Sequence, residues 1–144
     1  MKLYQSERKN ERGVTLIELL VVMIILALIA ALASQRVFGK LESTRRTAAK
    51  NQIVELEGAL DLFRLDVGRY PTGTEGLESL RTKPPGLENW DGPYLKKDLP
   101  LDPWKKPFVY RFPGEHGDFD LVSFGPDGVE GGEGDSAADI VSWK

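Results

Sequence analysis

Acidic side chains are concentrated in a glycine-rich stretch near the C-terminus, and their chemistry suits a cation site. Residues 124–140, FGPDGVEGGEGDSAADI, contain five glycines and five carboxylates: Asp127, Glu130, Glu133, Asp135 and Asp139. Calcium binds six to eight oxygens from carboxylates and carbonyls, and glycines let carbonyls turn inward. The spacing is not that of an EF-hand, because Ala138 stands at the twelfth place from Asp127, where a glutamate is needed. Composition alone leaves a calcium loop and a solvated acidic loop equally open.

A further carboxylate draws attention because of its apolar surroundings. Glu18 is the only charged residue between Val14 and Ser34, a run of 21 residues. A charge at the edge of such a run costs free energy in a bilayer unless it is paired. The run by itself predicts a plain single-pass anchor, and Glu18 reaching back to the membrane surface is one explanation of its position.

The residue inventory does not favour catalysis or nucleic-acid binding. The one histidine, His116, lies in a predicted turn near Asp120 and Ser123, and nothing in the sequence predicts the cleft and oxyanion hole of a hydrolase. There is no cysteine, no glycine-rich phosphate loop after a strand and no HExxH motif. The net charge of −3 gives no broad basic footprint for nucleic acid. We therefore expect neither an enzyme nor a nucleic-acid-binding protein.

The apolar run predicts a membrane-spanning helix over residues 14–34. A helix of this length extends about 30 Å, the thickness of a bilayer core. The preceding residues carry four basic side chains against two acidic ones, which predicts that residues 1–13 stay cytoplasmic and that the rest of the chain lies across the membrane. The run is too long for a typical secretory signal peptide.

Helical periodicity continues beyond the apolar run. Apolar residues recur every three or four positions at Ala49, Ile53, Leu56, Leu60 and Phe63, which predicts an amphipathic continuation over residues 35–67. One helix from about Thr15 to Leu65 results. The basic residues after the run are expected to form a solvated face: Arg36, Lys40, Arg45 and Arg46.

The remaining residues, 68–144, predict a small α+β head. Tyr70-Pro71 ends the helix, and Thr74 to Leu80 predicts a short helical turn. Strands are predicted at 108–112, 119–123 and 140–143, the first two forming an antiparallel hairpin. Large aromatic side chains in the proline-rich loops are expected to pack those loops onto the helix and sheet: Tyr70, Trp90, Tyr94 and Trp104.

The N-terminal residues carry a specific resemblance. Gly13 follows a short basic leader, and Val14-Thr15-Leu16-Ile17-Glu18 leads directly into the apolar run. This resembles the class III signal of type IV pilins and pseudopilins. The resemblance implies that a prepilin peptidase cuts between Gly13 and Val14 and methylates Val14. It also implies that Glu18 pairs with the N-terminal ammonium of a neighbouring subunit, which would make it a register device for assembly.

Two positions differ from that family pattern. Val14 stands where the first mature residue is usually phenylalanine, so cleavage is expected and methylation is left open. The residues Ala33-Ser34-Gln35-Arg36 lack the proline that many relatives carry there. Because proline removes a helical hydrogen bond, its absence leaves no sequence signal for a kink at this point.

The head sharpens the resemblance to the major pseudopilins of the type II secretion system. The segments that carry it are RYPT, GPYLKKDLPLDPWKKPFVY, PGEHGDFDLVSFGPDG and the ending ADIVSW. The resemblance implies a type IV pilin-like fold with a calcium-binding loop. Its implied ligands are the carbonyls of Phe124 and Val129 and the carboxylates of Asp127, Asp135 and Asp139, with Asp135 the least direct match.

The implied function is that of a structural subunit. Residues 1–13 would be a cleaved leader, 14–34 a transmembrane or filament-core helix, 35–67 its continuation and 68–144 a periplasmic head. Expected partners are other copies of the chain, minor pseudopilins, the prepilin peptidase and an inner-membrane assembly platform, with the inner membrane holding the subunit before assembly. The alternatives are a type IV pilin for adhesion or motility and a single-pass periplasmic calcium-binding module.

Overall fold

The computed structural model describes residues 13–132, 134 and 138–144, with backbone alone for 35–37. One long helix, α1, covers Leu16–Val67, and a short 3-10 helix covers Leu77–Leu80. Three strands follow: β1 at Val109–Arg111, β2 at Asp120–Ser123 and β3 at Ile140–Val141. The chain divides into two compact units, an N-terminal segment that ends at Gly39 and a head, Lys40–Lys144.

The N-terminal segment is helical from Leu16 and has the composition of a membrane span. Its best 18-residue window has a mean hydropathy of 3.0, and none of that window is buried by other parts of the chain. By length and composition it can cross a membrane, in agreement with the predicted span.

The head is built on the second part of α1. The apolar residues predicted to share one side of this helix form its core face. Each of them is at most 2% exposed: Ala49, Ile53, Leu56, Leu60 and Phe63. The helix ends at Val67, which is the predicted end of the amphipathic continuation, and Gly68 follows with a φ of 85°. The Gly68 N–H donates to Arg64 O at 2.8 Å, a glycine C-cap that accounts for this end.

The sheet is antiparallel in the order β1-β2-β3. Val109 faces Val122 across the first pair, and Ser123 faces Ile140 across the second. The central strand, β2, is buried throughout. All three predicted strands are present but shorter than expected. The third ends early because Leu121 N–H donates to the Ser142 hydroxyl at 3.1 Å instead of to a backbone carbonyl.

Aromatic side chains attach the irregular loops to this frame, as predicted. Tyr94 meets Phe63 edge to face with ring centroids 5.7 Å apart. The Trp90 indole N–H donates to Ser79 O at 2.8 Å, and Tyr70 is 8% exposed. These contacts hold residues 70–100 to the core with little regular secondary structure.

One part of the predicted basic face is wrong. Lys40 and Arg45 are exposed as expected, and the side chain of Arg36 lies outside the described residues. Arg46 instead is half-buried and donates from Nη2 to Ala138 O at 2.9 Å. It lies three residues before Ala49 and therefore shares the core-facing side of α1.

Candidate assembly segment and cation loop

The start of the described chain leaves the predicted cleavage point uncovered. Gly13 and Val14 precede the first helical residue, Leu16. A Cβ added to Gly13 would meet no neighbouring atom within 4 Å, and Val14 is 64% exposed. Within the described residues, no side chain or loop of the same chain shields this peptide bond.

Glu18 lies in the first turn of α1 with its side chain exposed. Its backbone N–H donates to Thr15 Oγ1 at 3.3 Å, which makes Thr15 the N-cap and Glu18 the N3 residue of a Thr-x-x-Glu capping box. Helical periodicity did not predict this role, although Thr15 and Glu18 have the spacing of a capping box in the sequence. Only half of the box forms, because the Glu18 carboxylate has no hydrogen-bond partner among the residues that the structure describes. That carboxylate is placed where the helix dipole favours an anion, and it remains available to an external cation.

The stretch 124–140, here called the cation loop, begins with a tight turn over residues 124–129. Phe124 O accepts the N–H of Gly128 at 3.2 Å, and Asp127 Oδ1 accepts the N–H of Val129 at 3.2 Å. Gly125 and Gly128 adopt φ values of 62° and 72°, which side-chain-bearing residues rarely adopt. Asp127 is exposed in this turn, and the carbonyl of Phe124, one of the predicted ligands, accepts the N–H of Gly128.

The end of the cation loop is held by hydrogen bonds of its own. Asp139 Oδ2 accepts the N–H of Gly131 at 2.9 Å, while Oδ1 is buried and lacks a partner among the described residues. Arg46 binds the neighbouring carbonyl of Ala138. A buried carboxylate oxygen with no donor is costly, so this position calls for a cation or a water.

The predicted ligands are only partly brought together. Within the described ranges, no three Asp, Glu or His side chains are grouped closely enough to hold a metal ion. Asp135 lies outside the described residues, as does Glu133. Glu130 is directed elsewhere, since its Oε1 accepts from Arg111 Nη2 at 2.8 Å. The remaining predicted ligands, Phe124, Asp127, Val129 and Asp139, offer only oxygen atoms, and Asp139 Oδ1 has no partner within the described part of the loop. Both features fit a hard cation.

A buried network that sequence reasoning missed supports the start of the loop. Asp102 is 3% exposed, and its Oδ2 accepts the hydroxyl of Ser123 at 2.6 Å. Ser123 Oγ in turn accepts the N–H of Gly125 at 3.3 Å. Asp102 Oδ1 accepts the N–H groups of Trp104 and Lys106, at 3.0 and 2.8 Å. The Asp102-Pro103 pair is typical of a turn. Nothing in the sequence indicated that this turn would bind Ser123, which lies 21 residues later at the start of the loop.

His116 and Ser123 belong to different networks. The His116 ring stacks on Trp143 with centroids 3.8 Å apart, and its Nδ1 lies 3.2 Å from Asp120 Oδ2. Burial by itself would raise the pKa of Asp120, but N–H donors from Glu115 and His116 outweigh it and hold the pKa below its usual range. Ser123 donates to Asp102 instead, so His116 does not act on it as a base. The described geometry assigns these residues to holding the hairpin turn, the C-terminus and the loop.

Comparison with known proteins places this geometry in a family. A family model described as "Type II secretion system (T2SS), protein G" matches residues 36–143. This chain belongs to the type II secretion system protein G family. A second model, "Prokaryotic N-terminal methylation motif", matches residues 8–34, which include Gly13, Val14 and Glu18. The resemblance read from the sequence is confirmed.

Individual relatives agree over nearly the whole length. The chain is 46% identical over 142 residues to the type II secretion system core protein G of Pseudomonas aeruginosa, covering 95% of this chain and 98% of that one. It is 42% identical to the protein of the same name from Vibrio cholerae, with 96% of each chain covered.

A solved relative confirms the fold. The crystal structure of the major pseudopilin from the type 2 secretion system of enterohaemorrhagic Escherichia coli superposes with a TM-score of 0.63 at 39% identity. The match covers 74% of this chain and 92% of that one. A long helix with a small antiparallel sheet is thus the fold of a major pseudopilin. The family match supports the secretion function and does not support the alternative of an adhesion pilin.

Proposed function

We propose that this protein G family member is the major structural subunit of a pseudopilus, a periplasmic helical filament whose growth exports folded proteins across the outer membrane. The observation that carries the proposal is the exposed Glu18 carboxylate at the head of an uncovered apolar helix, within a matched methylation motif. The chain's own work is then assembly, and no reaction is assigned to its side chains.

Processing is the first step of the proposed pathway. The prepilin peptidase would cut between Gly13 and Val14, so that Val14 supplies a free ammonium two residues before α1. The exposure of Val14 and the open space around Gly13 support access to this bond.

Glu18 would then select the axial position of each incoming subunit. A carboxylate moved from an interface into a filament core loses its water, and its burial is tolerable only if a cation replaces that water. The ammonium of Val14 from a neighbouring copy is a suitable cation. A subunit docked at another level would leave Glu18 unpaired, which favours one register.

Before assembly, the N-terminal segment would span the inner membrane once, with the head in the periplasm. The apolar, uncovered window supports membrane insertion, and the basic residues before Gly13 favour a cytoplasmic N-terminus. An inner-membrane platform would move subunits from the bilayer into the filament, and minor pseudopilins would be further partners.

The cation loop is proposed to bind calcium. The carbonyls of Phe124 and Val129 and the carboxylates of Asp127 and Asp139 would hold the ion, with Asp135 as a further ligand. Calcium would neutralise the clustered carboxylates and give the buried Asp139 oxygen a partner. The all-oxygen donor set supports this assignment, as does the Asp139 Oδ1 atom, which is buried without a partner among the described residues.

Calcium removal tests the loop assignment. In the full-length protein, calcium should raise the melting temperature above that in chelator, because a ligand bound only to the folded state stabilises it. Asp127→Ala and Asp139→Ala should abolish this increment, while Glu130→Ala, which removes the partner of Arg111, should keep it. Equal melting curves of the wild type with calcium and with chelator would contradict the assignment.

Intact mass tests the processing step. The protein isolated from membranes that contain the native peptidase should have a mass that starts at Val14, with or without one methyl group. A mass that matches the uncut chain would contradict the filament proposal and leave only a membrane anchor.

A further inference from the structure

The first turn of the cation loop is bound by a lysine from another part of the head. Lys106 Nζ donates to the carbonyl oxygens of Gly125 and Pro126, at 3.2 Å each. The lysine side chain is half-buried. It forms no ion pair with a carboxylate among the residues that the structure describes. The ammonium of Lys106 is therefore bound by main-chain carbonyl oxygens, which are one of the ligand types that calcium also takes.

The position of this lysine is fixed by the buried network at the base of the loop. Its N–H donates to Asp102 Oδ1, and its carbonyl accepts the N–H of Asp102, both at 2.8 Å. Asp102 also holds Ser123, which accepts from Gly125. Hydrogen bonds through Asp102 and Ser123 thus connect the backbone of Lys106 to Gly125, and the Lys106 ammonium binds the same turn directly.

Close packing of Gly128 supports the same arrangement. A Cβ added to Gly128 would collide with Lys106 Nζ and would lie 2.9 Å from Cε. The lysine side chain therefore occupies the space that a Cβ at Gly128 would need.

We propose that Lys106 is a built-in cation of the loop, whose ammonium holds the turn 124–129 in place without a metal ion. Ammonium and metal ions both bind carbonyl oxygens, but a lysine is tethered and loses less freedom on binding. The oxygens it uses, on Gly125 and Pro126, differ from the carbonyls of Phe124 and Val129 assigned to calcium. The inference therefore stands independently of the calcium assignment.

Hydrogen exchange of the full-length protein in detergent micelles with chelator tests this inference. Lys106→Met keeps a similar stem and removes the charge, so amides of residues 124–130 should exchange about tenfold faster. Lys105→Met is the matched control, because Lys105 is exposed and makes no side-chain hydrogen bond among the described residues, and it should exchange as the wild type does. Lys106→Arg keeps the charge at similar reach and should retain most of the protection.

A Lys106→Met protein that exchanges as slowly as wild type over residues 124–130 would overturn the inference. So would a loss of protection that is as large in Lys106→Arg as in Lys106→Met, because packing rather than charge would then be the cause. The amides of α1 around Leu60 serve as the fold control. Repeating the experiment with calcium tests the metal assignment separately, since a wild type indifferent to calcium would remove that assignment and leave the Lys106 result unaffected.

Discussion

Large apolar side chains are exposed in the N-terminal segment, whereas in the head they form a buried core. From Val14 to Leu32, and again at Phe38, the large apolar side chains are exposed, and Leu16, for example, is 89% exposed. In the head the core-facing apolar side chains of α1, among them Leu56, Leu60 and Phe63, are fully buried, and charged residues share the opposite face with a few exposed apolar ones. The head therefore carries its own stability. The N-terminal segment carries apolar surface that a bilayer or other copies of the chain must cover.

This difference separates two classes of substitution. Changes in the head should alter unfolding and leave membrane insertion intact, whereas changes in the N-terminal segment should alter insertion or assembly and leave head unfolding intact. All three tryptophans, Trp90, Trp104 and Trp143, lie in the head, so their fluorescence reports on that unit alone.

Phe63→Ala should have the largest effect on the head. Phe63 is fully buried and meets Tyr94, so its removal should leave a cavity and lower the free energy of unfolding by about 3–5 kcal/mol. Urea unfolding followed by tryptophan fluorescence measures this. Leu65→Ala is the control, since Leu65 is 78% exposed and should change little. Equal effects of the two variants would contradict the assignment of the core face.

Asp102→Ala should come next. The substitution leaves the Ser123 hydroxyl and two backbone N–H groups without their acceptor, at a cost of about 2–3 kcal/mol. Urea unfolding measures this loss. Asp98→Ala is the matched control, because the Asp98 side chain is 99% exposed and its pair with Arg81 should contribute nothing measurable. A loss for Asp102→Ala no larger than for Asp98→Ala would remove the proposed support of the loop.

Lowering the pH should reduce the free energy of unfolding of the head, because Glu75 becomes protonated. Two hydrogen bonds from Arg69, both at 2.7 Å, with a backbone N–H from Thr72, lower the pKa of Glu75 to about 2. A carboxyl whose pKa is depressed on folding stabilises the folded state above its unfolded pKa of 4.5, and this contribution is lost as the pH falls toward 2.

The pH profile of unfolding checks this expectation. Glu75→Gln should lose stability at pH 6 and should have a flatter profile than wild type between pH 4.5 and 2. Glu78→Gln, a neighbouring exposed carboxylate, is the control. A wild-type profile that overlays that of Glu75→Gln across this range would contradict the prediction.

Lys105→Gly should have the smallest effect and the opposite sign. Lys105 has a φ of 64°, in the left-handed region that disfavours residues with a Cβ. Glycine should relieve this strain and raise the free energy of unfolding by about 0.5–1 kcal/mol, net of the greater freedom of the unfolded chain. A decrease on urea unfolding would show that this conformation is not strained.

The sequence predicted those features of the fold that depend on local pattern. The three- or four-residue spacing from Ala49 to Phe63 predicted the core face of α1, and Tyr70-Pro71 placed its end within a few residues. The unbroken run from Leu19 to Ala33 predicted an exposed apolar helix that is long enough to cross a membrane. These features follow from helical period and length, which a linear pattern records directly.

Contacts between distant segments were not predictable in the same way. Nothing in the pattern connects Asp102 with Ser123, or Arg46 with Ala138, because each pair meets only after the sheet and helix have formed. The Lys106 contact with the loop has the same origin. For the loop, the carboxylate count left a cation site and a solvated loop equally open, and it did not indicate that Glu130 would pair with Arg111 at the end of β1.

The most direct test of the central claim is assembly by a Glu18→Gln variant, compared with wild type and with Glu55→Gln, an exposed carboxylate in the head. Filament yield, cleavage after Gly13 and tryptophan-reported unfolding would be measured on the same preparations. We expect Glu18→Gln to insert, to be cleaved and to unfold as wild type does, and to form no filaments, while Glu55→Gln retains them. Filaments at the wild-type yield from Glu18→Gln would contradict the account.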